Sequence, residues 1–281
     1  MTTAMADLRI FFCIGAAKSG TTLLARVLDQ HPDVACIWES YAFHPRSRAS
    51  LFNPASESWR KHGFAEADVW RWAAIWRAEP QATLRRILRK LTGRTFLAAS
   101  CFRRTMPEAL ADFARRCGAS LVGDKWPWYI DYLDDVLAVF PEARYLYNMR
   151  DPRGLWNSAQ RFKGRQRGDE LLQRMLDADR RVTPYLDRPN FFTFCYEDLA
   201  AEPEATCRRL FDFLGCDFAR QYLLYNPAAD PYPDRWDWVP EAGEQFNPWH
   251  ARKWREQMRP DEIERVSDQA GWFIDKYGYE R

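Results

Sequence analysis

No two of the seven cysteines stand in a Cys-x-x-Cys pair, and their number is odd. That excludes the usual spacing of a zinc cage and argues against a disulfide framework. Cys13 lies inside the apolar run Phe11-Phe12-Cys13-Ile14, and the set reads as small buried thiols in a reducing compartment. Long hydrophobic runs are also missing. The first, Ile10 to Ala17, is far too short to span a bilayer. Met1 to Arg9 has no apolar signal-peptide region, so no transmembrane segment and a cytoplasmic location are expected. Charge of one sign is scarce: 41 Lys and Arg face 39 Asp and Glu, for a net +2. That balance gives no reason to expect nucleic acid or a membrane surface as partner, though it allows local basic pockets. There is no internal repeat, no low-complexity tract and no carboxylate cluster that insists on magnesium, so no metal is expected.

What is present reads as a globular, soluble protein. Hydrophobic residues make up 47% and charged residues 28% of 281. That length suits one large α/β domain or two small ones, and a single domain over 1–281 is expected. Ile10 to Ile14 reads as a strand buried on both faces of a parallel sheet. A small-residue turn, Gly15 to Gly20, leads into a helix over Thr21 to Gln30, and Val34 to Trp38 reads as a second strand. The chain thus opens with a βαβ unit. Residues 41–118, rich in Trp and Arg, read as a helical insertion capping the site; Arg85, Arg86, Arg89 and Lys90 form a solvated helix face there. Further strands are expected at Ser120 to Gly123, Ala143 to Met149 and Phe191 to Cys195. Helices are expected at 130–140, from Asp151 to about Phe162, at 169–186, at 203–214 before Gly215, and at 261–276. Asp151 and Pro152 are read as N-cap and first helical residue. The Trp- and Pro-rich stretch 226–249 reads as an ordered loop.

The turn Gly15-Ala16-Ala17-Lys18-Ser19-Gly20-Thr21-Thr22 is built to hold an anion. Small residues let backbone approach a ligand, and the helix N-terminus presents N–H groups and partial positive charge. Lys18 adds a full charge; Ser19, Thr21 and Thr22 add hydroxyls. It is not a Walker A loop, because the lysine precedes the second glycine. Lys18 to Leu24 resembles the 5′-phosphosulfate loop of the sulfotransferases that use 3′-phosphoadenosine 5′-phosphosulfate (PAPS). The resemblance implies a P-loop-containing nucleotide-binding α/β fold with a mostly parallel sheet. It makes PAPS the co-substrate, and Ala17, Lys18, Ser19, Gly20, Thr21 and Thr22 the 5′ site. Lys18 would also stabilise the bridging oxygen.

A second signature starts at Arg150, the end of a strand, with Ser158 eight residues on. Leu155, Ser158 and Phe162 share a helical face, so Ser158 is expected to look inward. An arginine fork and a hydroxyl can converge on one phosphate. The pattern resembles the family's 3′-phosphate site. Gly123 to Pro127, Tyr196 to Leu199 and Phe213 to Gly215 also resemble family stretches, which brings in Tyr196. Arg252-Lys253-Trp254 resembles the basic segment over the nucleotide only weakly, since the usual glycines are missing; Lys253 is carried over on that basis.

Sulfuryl transfer needs positioned partners, a stabilised leaving phosphate and a proton acceptor. Glu39, at the end of the second strand, is the base expected by resemblance to tyrosyl-protein and carbohydrate sulfotransferases. The Lys125-Trp126-Pro127 turn lacks the histidine that the cytosolic small-molecule branch uses. Lys125 would assist at the leaving phosphate or the acceptor, with an ion pair to Asp124 as its plainer reading. His44 is the rival base; His31, His62 and His250 carry no motif. Two other readings stay open: a P-loop kinase or triphosphatase using ATP, and a non-catalytic nucleotide-binding protein. The acceptor is read no further than a small molecule, glycan or lipid precursor with a hydroxyl or amine, and the oligomeric state is open, a homodimer included. Trp59, Trp70, Trp72, Trp236, Trp238 and Trp249 offer rings for stacking or for packing.

Overall fold

The computed structural model describes residues 8–78, 96–162, 166–224 and 245–280. Residues 84–91, with their basic helix face, and most of 226–249, including Trp236 and Trp238, lie outside the described residues. A central parallel sheet of five strands is flanked by helices. The strands are β1 (Arg9–Gly15), β2 (Val34–Trp38), β3 (Leu121–Lys125), β4 (Arg144–Met149) and β5 (Phe191–Cys195), in the order β2-β3-β1-β4-β5. The apolar runs predict buried strands, and every residue of β2 and of β3 is indeed buried. By contacts the chain divides into two compact units, residues 1–12 with 32–144, and residues 13–31 with 145–281.

In the first unit β2 and β3 pair in parallel from Val34 opposite Leu121 to Trp38 opposite Lys125. Gly123 is needed there, since a Cβ would stand 2.4 Å from the Phe11 carbonyl oxygen. The region 41–118 is helical where described: α2 (Ser58–Lys61), α3 (Glu66–Arg77) and α4 (Phe96–Cys117). α3 has acidic Glu66 and Asp68 in its first turn and Arg77 in its last, matching its dipole. It buries Val69, Trp72, Ala73 and Trp76 on one face. Trp59 is buried with them, whereas Trp70 is exposed. The expected helix over 130–140 starts instead as a 3-10 turn, Pro127–Tyr132. It is α-helical only as α5 (Leu133–Val139), because Pro127 opens the turn and Tyr132 leaves helical geometry.

In the second unit α1 (Thr21–Leu28) follows β1, and β4 pairs with β5 in parallel from Tyr145–Phe191 to Met149–Cys195. α6 (Pro152–Arg161) starts as expected: the Asp151 carboxylate accepts from the Arg153 N–H at 2.8 Å and Pro152 takes the first position. α7 (Gly168–Val182), α8 (Tyr196–Ala201) and α9 (Pro203–Phe213) follow, α9 ending at Gly215 with φ +63°. After α10 (Trp249–Arg252) and α11 (Trp254–Gln257), the expected helix 261–276 is two: α12 (Pro260–Gln269) and α13 (Gly271–Tyr277). The break falls at Ala270, whose φ of −105° caps one helix and starts the next. The apolar face survives it, with Val266, Phe273 and Ile274 buried. No described helix is long and apolar enough to cross a membrane.

Candidate active site

In the second unit, the turn after β1 takes its shape from three positive φ values: Gly15 at 149°, Lys18 at 72° and Gly20 at 93°. A Cβ on Gly20 would stand 2.3 Å from the Tyr196 ring, and one on Gly15 2.8 Å from the Asn148 carbonyl oxygen. Ser19 is buried; its Oγ donates to the Ala16 carbonyl at 2.8 Å and so closes the turn. Asn148 of β4 and Arg150, just past its end, take the turn's carbonyls: Asn148 Nδ2 donates to Ser19 O at 2.8 Å and Arg150 Nη1 to Lys18 O at 2.9 Å. With those carbonyls turned to β4, the start of α1 is left to an anion. Gly20, its N-cap, makes no side-chain capping bond, and no acidic residue lies in its first turn. Thr21 is buried, while Ala17 and Thr22 are half-buried. The Lys18 ammonium rests 3.1 Å from the centroid of the Phe162 ring, a cation–π contact.

Arg150 is buried under the same turn. Its guanidinium lies 4.2 Å from the Tyr196 ring centroid, and Nη2 donates to the His250 carbonyl at 3.3 Å. Its Nε and the Asn148 Oδ1 are buried without a hydrogen-bond partner among the described residues. An arginine with a spare buried donor suits an anionic group, so these residues fit a phosphate. Ser158, expected to look inward, is half-buried. α6 buries Pro152 to Asn157 almost all round, and Ala159 continues its inner side. Phe162, one turn on from Ser158, carries the Lys18 contact. Lys253 is half-buried between α10 and α11, its Nζ 5.9 Å from the Trp249 ring centroid.

Glu197 escapes sequence reasoning. It is one residue past Tyr196, with Oε1 accepting from the Asp151 N–H at 3.0 Å and Oε2 from the Tyr279 hydroxyl at 3.2 Å. Burial pushes its pKa up to about 7, against the pull of Arg150. Its signal in sequence is faint, a carboxylate following the aromatic strand Phe191–Cys195.

The first unit holds the carboxylate–lysine pair. Glu39 N–H donates to the Lys125 carbonyl at 2.9 Å, one rung beyond the β2–β3 ladder. Lys125 Nζ donates to Glu39 Oε1 at 2.7 Å. The lysine side chain is 1% exposed and the glutamate 30%, so the carboxylate is the member open to a substrate. Lys125 thus pairs with Glu39 and not with Asp124, whose buried carboxylate accepts from the Tyr129 hydroxyl at 2.5 Å. His44 is exposed in the next turn, its Nε2 3.4 Å from the Tyr132 hydroxyl. His62 is structural, bonded to the Trp38 N–H and the Ser58 carbonyl, and His31 bonds the Asp217 carbonyl.

The profile of the Sulfotransferase family matches residues 11–220, most of the chain. The chain belongs to the Sulfotransferase family. Among curated relatives of the chain is the omega-hydroxy-beta-dihydromenaquinone-9 sulfotransferase Stf3 of Mycobacterium tuberculosis, 26% identical over 162 residues. Another is the nodulation protein NoeE of Sinorhizobium fredii, 29% identical over 146 residues. The matches cover 52% and 51% of this chain, which spans only 38% and 29% of the length of those proteins. Among solved structures, the sulfotransferase domain of the Synechococcus PCC 7002 olefin synthase aligns with TM-score 0.60 at 19% identity. That match covers 98% of this chain and 96% of the domain. The sulfotransferase domain of the curacin biosynthetic pathway aligns with TM-score 0.57 at 20% identity, over 94% and 98%. These likenesses fix the fold as the P-loop-type α/β fold of sulfotransferases.

Proposed function

We propose that the chain transfers the sulfuryl group of PAPS to a hydroxyl, or an amine, of a small-molecule, glycan or lipid acceptor. One observation carries this reading. The Lys18 turn and Arg150 are joined in one unit by the 2.9 Å bond from Arg150 Nη1 to the Lys18 carbonyl. A cradle with an uncapped helix start and a buried arginine with a spare donor suit a nucleotide phosphorylated at two positions. PAPS, when bound, supplies a sulfuryl group on a good phosphate leaving group. Lys18 and the N–H groups of Gly20 to Thr22 meet charge growing on the bridging oxygen. Arg150, with the Ser158 hydroxyl, holds the 3′-phosphate, and Tyr196 stacks under the guanidinium. Glu39 accepts the acceptor's proton as the new S–O bond forms, and Lys125 keeps that carboxylate ionised and placed.

The reading takes 1–281 as one catalytic domain, supported by end-to-end alignment with the olefin synthase domain. The name of Stf3 describes sulfation of a hydroxylated quinone lipid, which supports a hydroxyl acceptor. Seven cysteine thiols, none in a disulfide among the described residues, support a cytoplasmic location. The test is a thermal-shift and transfer assay. Stabilisation by 3′,5′-adenosine diphosphate, none by ATP with magnesium, and label moving from ³⁵S-PAPS into an acceptor pool are expected. Stabilisation by ATP with magnesium alone would move the chain to the kinase reading. Binding of 3′,5′-adenosine diphosphate with no transfer in a broad pool would leave a non-catalytic nucleotide binder.

A further inference from the structure

The chain turns sharply where β2 ends. Glu39 has φ +64° and Tyr41 φ +49°, and neither is glycine. Each such residue costs on the order of 1 kcal/mol, so the surroundings must hold the turn. Three of the bonds that do so come from one dipeptide of β3. The Lys125 carbonyl accepts from the Glu39 N–H at 2.9 Å. The Lys125 ammonium donates to Glu39 Oε1 at 2.7 Å. The Asp124 carboxylate, on the opposite face of the strand, accepts from the Ser40 N–H at 3.3 Å.

Asp124 is fully buried, and both of its oxygens are engaged: Oδ1 by Ser40, Oδ2 by the Tyr129 hydroxyl at 2.5 Å. Tyr129 closes the loop, its hydroxyl 3.1 Å from Ser40 Oγ. Ser40 is itself sealed in, its carbonyl accepting from the Leu51 N–H at 2.9 Å and from Ser50 Oγ at 3.4 Å. The ring of Tyr129 is fixed edge-on between Phe12, at 5.1 Å, and Trp126, at 5.1 Å. A carboxylate in so dry a place is costly to keep. Burial raises its pKa to about 6, against the bonds from Ser40 and Tyr129 and the charge of Lys125. A neutral side chain would pack there at less cost, so the feature that distinguishes Asp124 is its grip on the Glu39–Tyr41 turn.

We propose that Asp124 is a positioning residue for proton transfer: through Ser40 and Tyr129 it locks the turn that sets the Glu39 carboxylate against Lys125 Nζ. The inference rests on the reading of Glu39 as the base. A displacement of about 1 Å at a reacting group costs on the order of 10²-fold in rate.

The test is a double-mutant cycle on the full chain, with PAPS, an acceptor found by the transfer assay, and Asp124→Asn and Glu39→Gln alone and together. Asp124→Asn lowers kcat about 30–100-fold and leaves the KM for PAPS and the affinity for 3′,5′-adenosine diphosphate within about 2-fold. Glu39→Gln lowers kcat about 10²–10⁴-fold. In the Glu39→Gln background the Asp124 substitution costs less than about 3-fold, because its effect passes through the carboxylate that is gone. A normal kcat in Asp124→Asn overturns the proposal, and so does the same loss in both backgrounds, which would mark a general structural role. A normal kcat in Glu39→Gln overturns the reading of the base itself, a distinct result. If Asp124→Asn does not fold, Tyr129→Phe decides in the same cycle. It keeps the ring packing, removes one bond, and is expected to cost about 3–10-fold in kcat only when Glu39 is present.

Discussion

Lys18 and Arg150 enter the proposed nucleotide site with different kinds of preparation. Lys18 stands on a left-handed backbone with its ammonium on the Phe162 ring, so its charge is held before any donor arrives. Lys18→Ala should therefore cut kcat by about 10²–10³-fold, since it removes charge stabilisation at the bridging oxygen. Binding of 3′,5′-adenosine diphosphate, measured by calorimetry, should weaken by less than about 10-fold. Arg150 is instead proposed to serve the protein and the ligand together. Its Nη1 holds the Lys18 carbonyl while Nε is left without a partner among the described residues. Arg150→Ala should thus weaken adenosine 5′-diphosphate slightly through the loosened turn, and 3′,5′-adenosine diphosphate by about 10–100-fold, the worth of charge-assisted bonds to the second phosphate. Equal losses for both nucleotides would contradict the 3′ assignment.

At the level of elements, the β1–α1 junction depends on close approach. Gly20→Ala places a Cβ 2.3 Å from the Tyr196 ring on a residue with φ +93°. The ring that would have to give way also supports Arg150, at 4.2 Å. The substitution should cost both phosphate contacts, seen as a loss of more than about 10-fold in affinity for 3′,5′-adenosine diphosphate together with a lower Tm. This junction was legible in the sequence because everything it needs is local: an apolar run, two glycines, a lysine and hydroxyls, then a helical period. The same holds for β2, whose bounds Val34 to Trp38 are those expected, and for the Asp151-Pro152 cap. Legibility failed where packing overrides local pattern. The period through 261–276 is continuous, yet the helix breaks at Ala270. Asp124 and Glu197 were not legible as site residues because their importance lies in what surrounds them: Ser40 and Tyr129 for one, Asp151 and Tyr279 for the other.

For the whole molecule, those two carboxyls set a pH dependence of stability. Asp124 in the first unit and Glu197 in the second are both raised by burial, to about 6 and about 7 from ordinary values of 3.8 and 4.5. A raised acid binds its proton more tightly in the folded state than in the unfolded one. The stability it adds is complete below the unfolded pKa and is lost as pH rises through the folded pKa. Tm should therefore fall between about pH 4 and pH 7, each group contributing on the order of 3 kcal/mol across its window. Carboxylates that are held low by arginines, such as Glu108 beside Arg71 and Asp169 beside Arg265, act in the opposite sense, but mainly below that range. Glu197→Gln keeps an acceptor for the Asp151 N–H and removes the titration, so it should flatten the part of the Tm curve nearest pH 7 and leave the part nearest pH 6. A wild-type curve that rises steadily from about pH 4 to pH 7 in calorimetric scans would mean that neither carboxyl carries its proton in the folded chain. In that case Asp124 would have to be held as an anion by Lys125, Ser40 and Tyr129 over the whole range in which the enzyme works.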